Sequence, residues 1–261
     1  MMGVTKLRVL GCSGGIGSGF QTSSYLLNDR VLIDAGTGVS ELNLYEMGRI
    51  DHVLITHAHL DHIACLPLLL DTTVTHRKVP VTVWGSQATI DSLKAHIFNN
   101  VIWPNFAMIP TPERPFMRYE VLTDYQSFQL ERVRITPVPV PHTVPTLSYL
   151  LTSACSGKSF MLCGDTTVND ALWEYINDQK DMVGIAIESA FSTKEEWLAK
   201  LSKHLSSNLL LQEIEKVSDS RIVIYVMHLK PVQFEQICQE LAQYQGRFEI
   251  QVLFKHQTIE F

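Results

Sequence analysis

The chain has 261 residues, 46% of them apolar and 18% charged, and its 21 Lys and Arg against 27 Asp and Glu leave a formal net charge of −6. At this length one core buries roughly 70–75% of the surface that the unfolded chain exposes, which excludes a small scaffold dependent on disulfide staples. The acidic balance and the absence of a Lys/Arg block exclude a protein that grips nucleic acid along its phosphates.

No Gly/Ser linker or repeat divides the chain, so residues 1–261 read as one α/β domain. Lys6 to Gly11 is a first strand, and Thr22 to Leu27 with Arg30 to Asp34 form a hairpin. The glycine-rich loop between them, Gly11 to Gly19, is not a dinucleotide fingerprint. A strand follows it, and the helix N-terminus that would hold a pyrophosphate is missing; a flexible loop beside a site is the alternative. A helical stretch near Val39 to Glu46 precedes a buried strand, His52 to Thr56, which stops at a polar cluster. Val79 to Trp84 is a strand, Gln87 to Phe98 a helix, and Asn99 to Arg118, with four prolines, an irregular excursion. Strands follow at Arg132 to Val138, Leu147 to Leu151 and Ser159 to Leu162, then a helix at Asn169 to Asn177 and a strand at Met182 to Ile187. The end alternates: helix Leu205 to Val217, strand Arg221 to Val226, helix Val232 to Tyr244, strand Glu249 to Phe254. Antiparallel hairpins early and βα units late predict two sheets with helices outside.

The start, MMGVTKLRVLGCS, has no apolar signal-like core, and the longest apolar stretch, Ile63 to Leu70, is far short of the ~20 residues that span a bilayer. The expected address is the cytoplasm, with no membrane partner. Cys12, Cys65, Cys155, Cys163 and Cys238 are odd in number and lack CxxC spacing, which predicts reduced, mostly buried thiols. A charged fraction below the ~25% of ordinary soluble domains predicts surface covered by a second subunit, hence a homo-oligomer.

The chemistry starts at His57-Ala-His59-Leu-Asp61-His62, directly after the strand that ends at Thr56. With 10 histidines in 261 residues, this ordered pattern arises by chance in well under ~0.1% of such chains. The bland alternative is a polar helix start with solvated histidines. Neutral imidazoles and a carboxylate suit Zn²⁺, Mn²⁺ or Fe²⁺. His57 and His59, two apart in extended chain, point the same way, whereas Asp61 and His62 sit a turn further on. That spacing predicts two adjacent ions, and the second needs donors from later in the chain. His142, Asp165 and His228 qualify, each following an apolar strand-like run.

HxHxDH after a strand, then a His, an Asp after Gly and a final His resemble the metallo-β-lactamase fold superfamily. The resemblance implies an αββα sandwich of two mixed sheets and a dinuclear site. His57, His59 and His142 would hold one ion, Asp61, His62 and His228 the other, and Asp165 would bridge them. Lys94-Ala-His-Ile-Phe-Asn-Asn-Val-Ile-Trp-Pro-Asn105, Ile187-Glu-Ser-Ala-Phe191, Ser202-Lys-His-Leu-Ser206 and Met227-His-Leu-Lys-Pro231 look like the class II 3′,5′-cyclic-nucleotide phosphodiesterases over nearly the whole chain. Ala64 and Cys65 stand where that family usually has a Gly- or Ser-containing pair, and Ser206-Ser207 replaces its usual Thr-Pro.

The resemblance implies hydrolysis of cyclic AMP and/or cyclic GMP to the 5′ monophosphate by a metal-bridging hydroxide. Two divalent ions, Zn²⁺ foremost with Mn²⁺ or Fe²⁺ as alternatives, acidify a bridging water, clamp the phosphoryl oxygens and outweigh the charge of Asp61 and Asp165. The departing ribose oxygen needs a proton. His204 is the expected acid and a substrate contact, oriented by Glu188, similar to the Glu and His pair of tRNA 3′-processing endonucleases; with Asp61 these make the catalytic set. The plain alternative is a strand-end carboxylate and a helix-start histidine. Asp34 fits a carboxylate behind a ligating histidine or a turn-forming residue equally well, and stays outside the set. Thr143 and Thr166, next to ligands, are candidate phosphate contacts, Thr166 being counted as substrate-binding. The aromatic stretch Phe98 to Phe106 either stacks on a base or lines a subunit contact, the latter being favoured. The expected partners are a small cyclic nucleotide and a second copy in a homodimer, with no stable nucleic-acid binding. The alternatives are a tRNA 3′-processing-type phosphodiesterase or nuclease, for which a basic clamping arm is lacking, and a non-catalytic metal-bound sensor of cyclic nucleotide.

Overall fold

The computed structural model describes residues 4–261. Period-two apolar patterns have sorted the strands into two sheets of seven, packed face to face, as the resemblance implies. β1 (Lys6–Gly11), β2 (Ser24–Leu27) and β3 (Val31–Ile33) are antiparallel neighbours, and β4 (His52–Leu54) and β5 (Val81–Gly85) add in parallel. A two-residue hairpin, β6 (Pro110–Thr111) and β7 (Arg114–Pro115), leads to β8 (Met117–Val121), which pairs parallel with β5 at the sheet edge. In the second sheet β9 (Phe128–Leu130), β10 (Val133–Val140), β11 (Thr146–Ser153) and β12 (Ser159–Leu162) run antiparallel in turn. β13 (Met182–Glu188), β14 (Val223–Met227) and β15 (Ile250–Val252) extend it in parallel. β16 (Thr258–Glu260) crosses back to pair with β1.

Alternation decides which face each strand buries. Tyr25 and Leu27 point between the sheets and pack with Val133, Ile135, Tyr149 and Phe160, whereas Leu26 and Leu32 point outward. The outer face of the first sheet is covered by α2 (Leu60–Ile63), α3 (Leu66–Thr73) and α4 (Gln87–Ser92), through Ile63, Leu66, Leu69, Leu70 and Ile90. On the second sheet lie α5 (Asp170–Asn177), α7 (Ser207–Ile214) and α8 (Phe234–Ala242), with α6 (Glu196–Ser202) before α7 and the single turn α1 (Leu44–Met47) early in the chain. Ser86, Asn169 and Ser206 accept from backbone amides at the starts of α4, α5 and α7, satisfying donors that a helix start leaves open.

Several expectations shift. The stretch Val39 to Glu46 is not one helix but a 3₁₀ turn, Thr37–Glu41, and then α1, because Asn43 caps a new start in a reciprocal capping box with Glu46. The helix expected to run to Phe98 leaves α geometry after Ser92 for a π-helical turn, Leu93–Ile97. The excursion Asn99 to Arg118 holds a hairpin and the start of β8. Phe98 and Phe106 are 1% and 3% exposed, Phe106 packing against both Phe98 and Phe116, so neither ring is open to a base, whereas Trp103 between them is half-buried. All five cysteines are free; Cys163 is buried and the others half-buried, and burial pushes the Cys12 and Cys163 thiols up to about 12. Among the described residues no helix is long and apolar enough to cross a membrane.

Candidate metal centre

Parallel pairing gathers the polar residues. The register sets Leu162 beside Ala186 and Glu188 beside Met227, so the turn carrying Asp165, the end of β13 with Glu188, and His228 leave the second sheet at one edge. There they meet His142, two residues past β10, and the loop after β4 that carries His57 to His62.

All seven expected ligands converge, in two groups. His57 Nε2 and His142 Nε2 lie 3.0 and 3.3 Å from His59 Nδ1. In the second group His62 Nε2 lies 3.4 Å from Asp165 and 3.9 Å from Asp61, and His228 Nε2 lies 3.3 and 3.7 Å from the same two carboxylates. Asp165 stands between the groups, its Oδ2 also 3.8 Å from His57 Nε2. Two atoms at the centre, His62 Nε2 and His228 Nε2, are buried with no hydrogen-bond partner among the described residues. An unsatisfied buried nitrogen costs about 1–3 kcal/mol, so a cluster of inward-facing donors without protein partners fits a cation.

The outer ring nitrogens of His62 and His142 are tied down. Asp34 Oδ2 is 2.7 Å from His62 Nδ1, and Asp34 also accepts from the Thr56 amide and hydroxyl. The turn-forming alternative for Asp34 therefore gives way to support of His62, a contact across 28 residues that local sequence does not announce. His142 Nδ1 lies 3.0 Å from the Lys203 carbonyl, and Lys203 Nζ donates to the His142 carbonyl. Each contact leaves Nε2 facing the cluster. Asp34 and His228 both adopt left-handed backbone, with φ of 56° and 62°, a conformation that surrounding contacts must enforce in non-glycine residues. The glycine-rich loop supplies part of that enforcement: a Cβ on Gly14 would sit 2.4 Å from the His228 carbonyl oxygen, so only glycine permits this approach.

Burial, aided by His62, holds His57 well below the usual histidine range, and burial takes His142 to about 4 and His228 downward. His59 is lowered for the same reason. These rings are neutral near pH 7 and keep a lone pair for a cation. Burial opposes charge on His62 too, but Asp165 and Asp34 outweigh it and raise the ring well above its ordinary value. Burial likewise disfavours the Asp165 carboxylate, yet His228 and His62 hold it well below the carboxylate range.

Glu188 and His204 form the expected pair. Glu188 is fully buried and accepts from His204 Nδ1 at 2.8 Å and from the amides of Thr166 and Leu205 at 2.7 and 3.0 Å. Burial lowers His204, but Glu188 overrides this and raises it; burial raises Glu188. Lys203, in left-handed conformation at the end of α6, turns the chain so that His204 folds back, its ring 4.8 Å from that of His142 and its Nδ1 3.9 Å from Asp165. Thr166 is fully buried; its hydroxyl faces backbone carbonyls and its amide serves Glu188, which places it behind that carboxylate. The Thr143 hydroxyl lies 3.5 Å from His59 Nε2.

Known proteins resemble this chain in sequence and in fold. The profile of the class-II cAMP phosphodiesterases matches residues 41–241. A probable 3′,5′-cyclic-nucleotide phosphodiesterase of Yersinia pestis is 28% identical over 70% of this chain and 57% of its own length. The 3′,5′-cyclic-nucleotide phosphodiesterase 1 of Saccharomyces cerevisiae is 28% identical over 63% and 50%, and a ribonuclease Z of Metallosphaera sedula 26% over 56% and 48%. The matched regions thus span about half the length of these curated relatives. Among solved structures, unliganded yeast PDE1 superposes with a TM-score of 0.81 at 18% identity, covering 98% of this chain and 99% of that one. The metallo-β-lactamase fold protein YhfI of Bacillus subtilis gives 0.79 at 17%, covering 99% of each. Zn²⁺-bound PqqB of Methylobacterium extorquens gives 0.74 at 13%, covering 98% and 100%. On a metallo-β-lactamase fold, the chain belongs to the class-II cAMP phosphodiesterase family.

Proposed function

We propose that the protein is a dinuclear-metal phosphodiesterase that opens 3′,5′-cyclic AMP and/or cyclic GMP to the 5′ monophosphate. The observation that carries this reading is the convergence of two donor groups on one shared carboxylate, Asp165, with a buried Glu188–His204 pair against it. Divalent ions bound there supply positive charge to a phosphoryl group and lower the pKa of a water.

The chain's own residues divide the remaining work. His57, His59 and His142 would hold one ion, Asp61, His62 and His228 the second, and Asp165 reaches both groups. Cleavage of the P–O3′ bond leaves an alkoxide, and His204, whose proton affinity Glu188 raises, donates the proton that makes it the 3′ hydroxyl. Glu188 is itself anchored by two amides, so its charge stays aimed at His204 Nδ1. Zn²⁺ is the favoured metal because histidine dominates the donors, with Mn²⁺ or Fe²⁺ as alternatives; Zn²⁺-bound PqqB shares the fold. A homodimer belongs to the same reading, supported by Val101 and Ile102, which are 85% and 63% exposed. The ribonuclease Z relatives favour a second reading, cleavage of an RNA phosphodiester by the same groups.

Incubation of metal-loaded protein with cyclic AMP, cyclic GMP or precursor tRNA decides between them. The expected product is a 5′ monophosphate seen by ³¹P NMR and lost on chelation; cleavage of the RNA with the cyclic nucleotides intact would overturn the assignment. Asp34 adds a further expectation. Asp34→Ala frees the His62 ring and should weaken Zn²⁺ affinity, measured by competition with a chromophoric chelator, by ~10–100-fold; unchanged affinity would remove Asp34 from the site.

A further inference from the structure

A cavity of about 300 Å³ opens beside the cluster and shares a wall with it. His59, Leu60, Ser92, His96, Val144 and Pro145 are among the residues that line it. His59 is also the residue on which His57 and His142 converge, so the cavity begins where the donor groups end. A larger cavity of about 380 Å³, lined by Leu70, Arg77, Arg114 and Arg118 among others, contains no member of the cluster.

We propose that this cavity holds the purine base of the cyclic nucleotide, an inference that rests on the phosphodiesterase reading above. Its size lies at the lower end for small-molecule sites, enough for one fused ring system. The walls suit the faces of a flat heterocycle. Leu60, the first residue of α2 between His59 and Asp61, leaves an apolar side chain 68% exposed beside a polar centre, and a bound ring covers it. His96 is exposed and also lines the cavity, where its ring can stack. The π-helical turn Leu93–Ile97 carries that histidine, a departure from α geometry of the kind that often marks functional sites. The Ser92 hydroxyl donates to the Ala88 carbonyl and the Thr89 hydroxyl pairs with Ser86, so contact here is mainly through the ring faces.

The test compares cyclic AMP with methyl β-ribofuranoside 3,5-cyclic phosphate, which keeps the reacting ring and lacks the base. Ser92→Trp fills the cavity from a half-exposed helix position, and His96→Ala removes one face from an exposed one. Base stacking of ordinary strength predicts a KM for cyclic AMP raised about tenfold or more in Ser92→Trp and about threefold or more in His96→Ala, with kcat/KM for the baseless substrate within about twofold of wild type. An unchanged KM in both variants, or an equal loss on both substrates, would overturn the base site. Saturation-transfer NMR with adenosine on the chelator-treated full chain gives a readout independent of turnover. Transfer to the adenine H2 and H8 protons, lost in Ser92→Trp, supports the site even if the cyclic phosphates are not substrates, whereas no transfer to wild type refutes it.

Discussion

Asp165→Ala should reduce kcat for cyclic AMP by roughly 10³-fold or more, since metal charge stabilisation of a phosphoryl transition state amounts to several kcal/mol and ~4 kcal/mol is about three decades in rate. Among the described residues no other carboxylate faces both donor groups: Asp165 lies within 3.3 to 3.8 Å of His228, His62 and His57, whereas Asp61 approaches His62 and His228. Its removal leaves clustered imidazoles without the anion that offsets them, so bound metal should fall along with turnover. The fold should survive near neutral pH, because Asp165 ties no strand to another and the core between the sheets is apolar. Stopped assays with metal analysis and a thermal melt check this. Activity within tenfold of wild type would mean that the two groups do not act as one centre.

His204→Ala should show a different signature. General acid catalysis is worth ~10²–10⁴-fold, and that loss is expected in kcat for cyclic AMP, whose alkoxide leaving group needs a proton. With bis(p-nitrophenyl) phosphate the leaving group departs as a stable anion, so the variant should lose less than about tenfold. Equal losses on both substrates would make His204 a structural member of the site. The geometry argues for the acid: Glu188 holds His204 Nδ1 at 2.8 Å and raises the ring's proton affinity despite burial, which leaves Nε2 as the atom to donate.

The cluster was legible in the sequence because its members sit where strands stop. His57, His142, Asp165 and His228 each follow an apolar run, and a sheet with parallel strands delivers such ends to one edge. Family resemblance supplied the pairing of ligands, which spacing alone left open. Asp34 was ambiguous because Asp before Ala-Gly fits a turn as well as a contact, and only tertiary structure brings it to His62. The base cavity was not legible either: its walls come from α2, α4, the π-helical turn and the Val144 loop, far apart in sequence. In the stretch Phe98 to Phe106, prolines obscure which residues turn inward: Phe98 and Phe106 fold under the first sheet, while Val101 and Ile102 stay exposed. β8, β9 and β16 are short edge or near-edge strands whose pairing is set by neighbours rather than by their own composition.

Titration of the chelator-treated chain with Zn²⁺ or Mn²⁺, following cyclic AMP by ³¹P NMR, tests the central claim most directly. Predicted are no turnover before metal, a plateau at about two ions per chain, and 5′-AMP as the product. Two ions bound with cyclic AMP intact, or ring opening in the chelated protein, would contradict it.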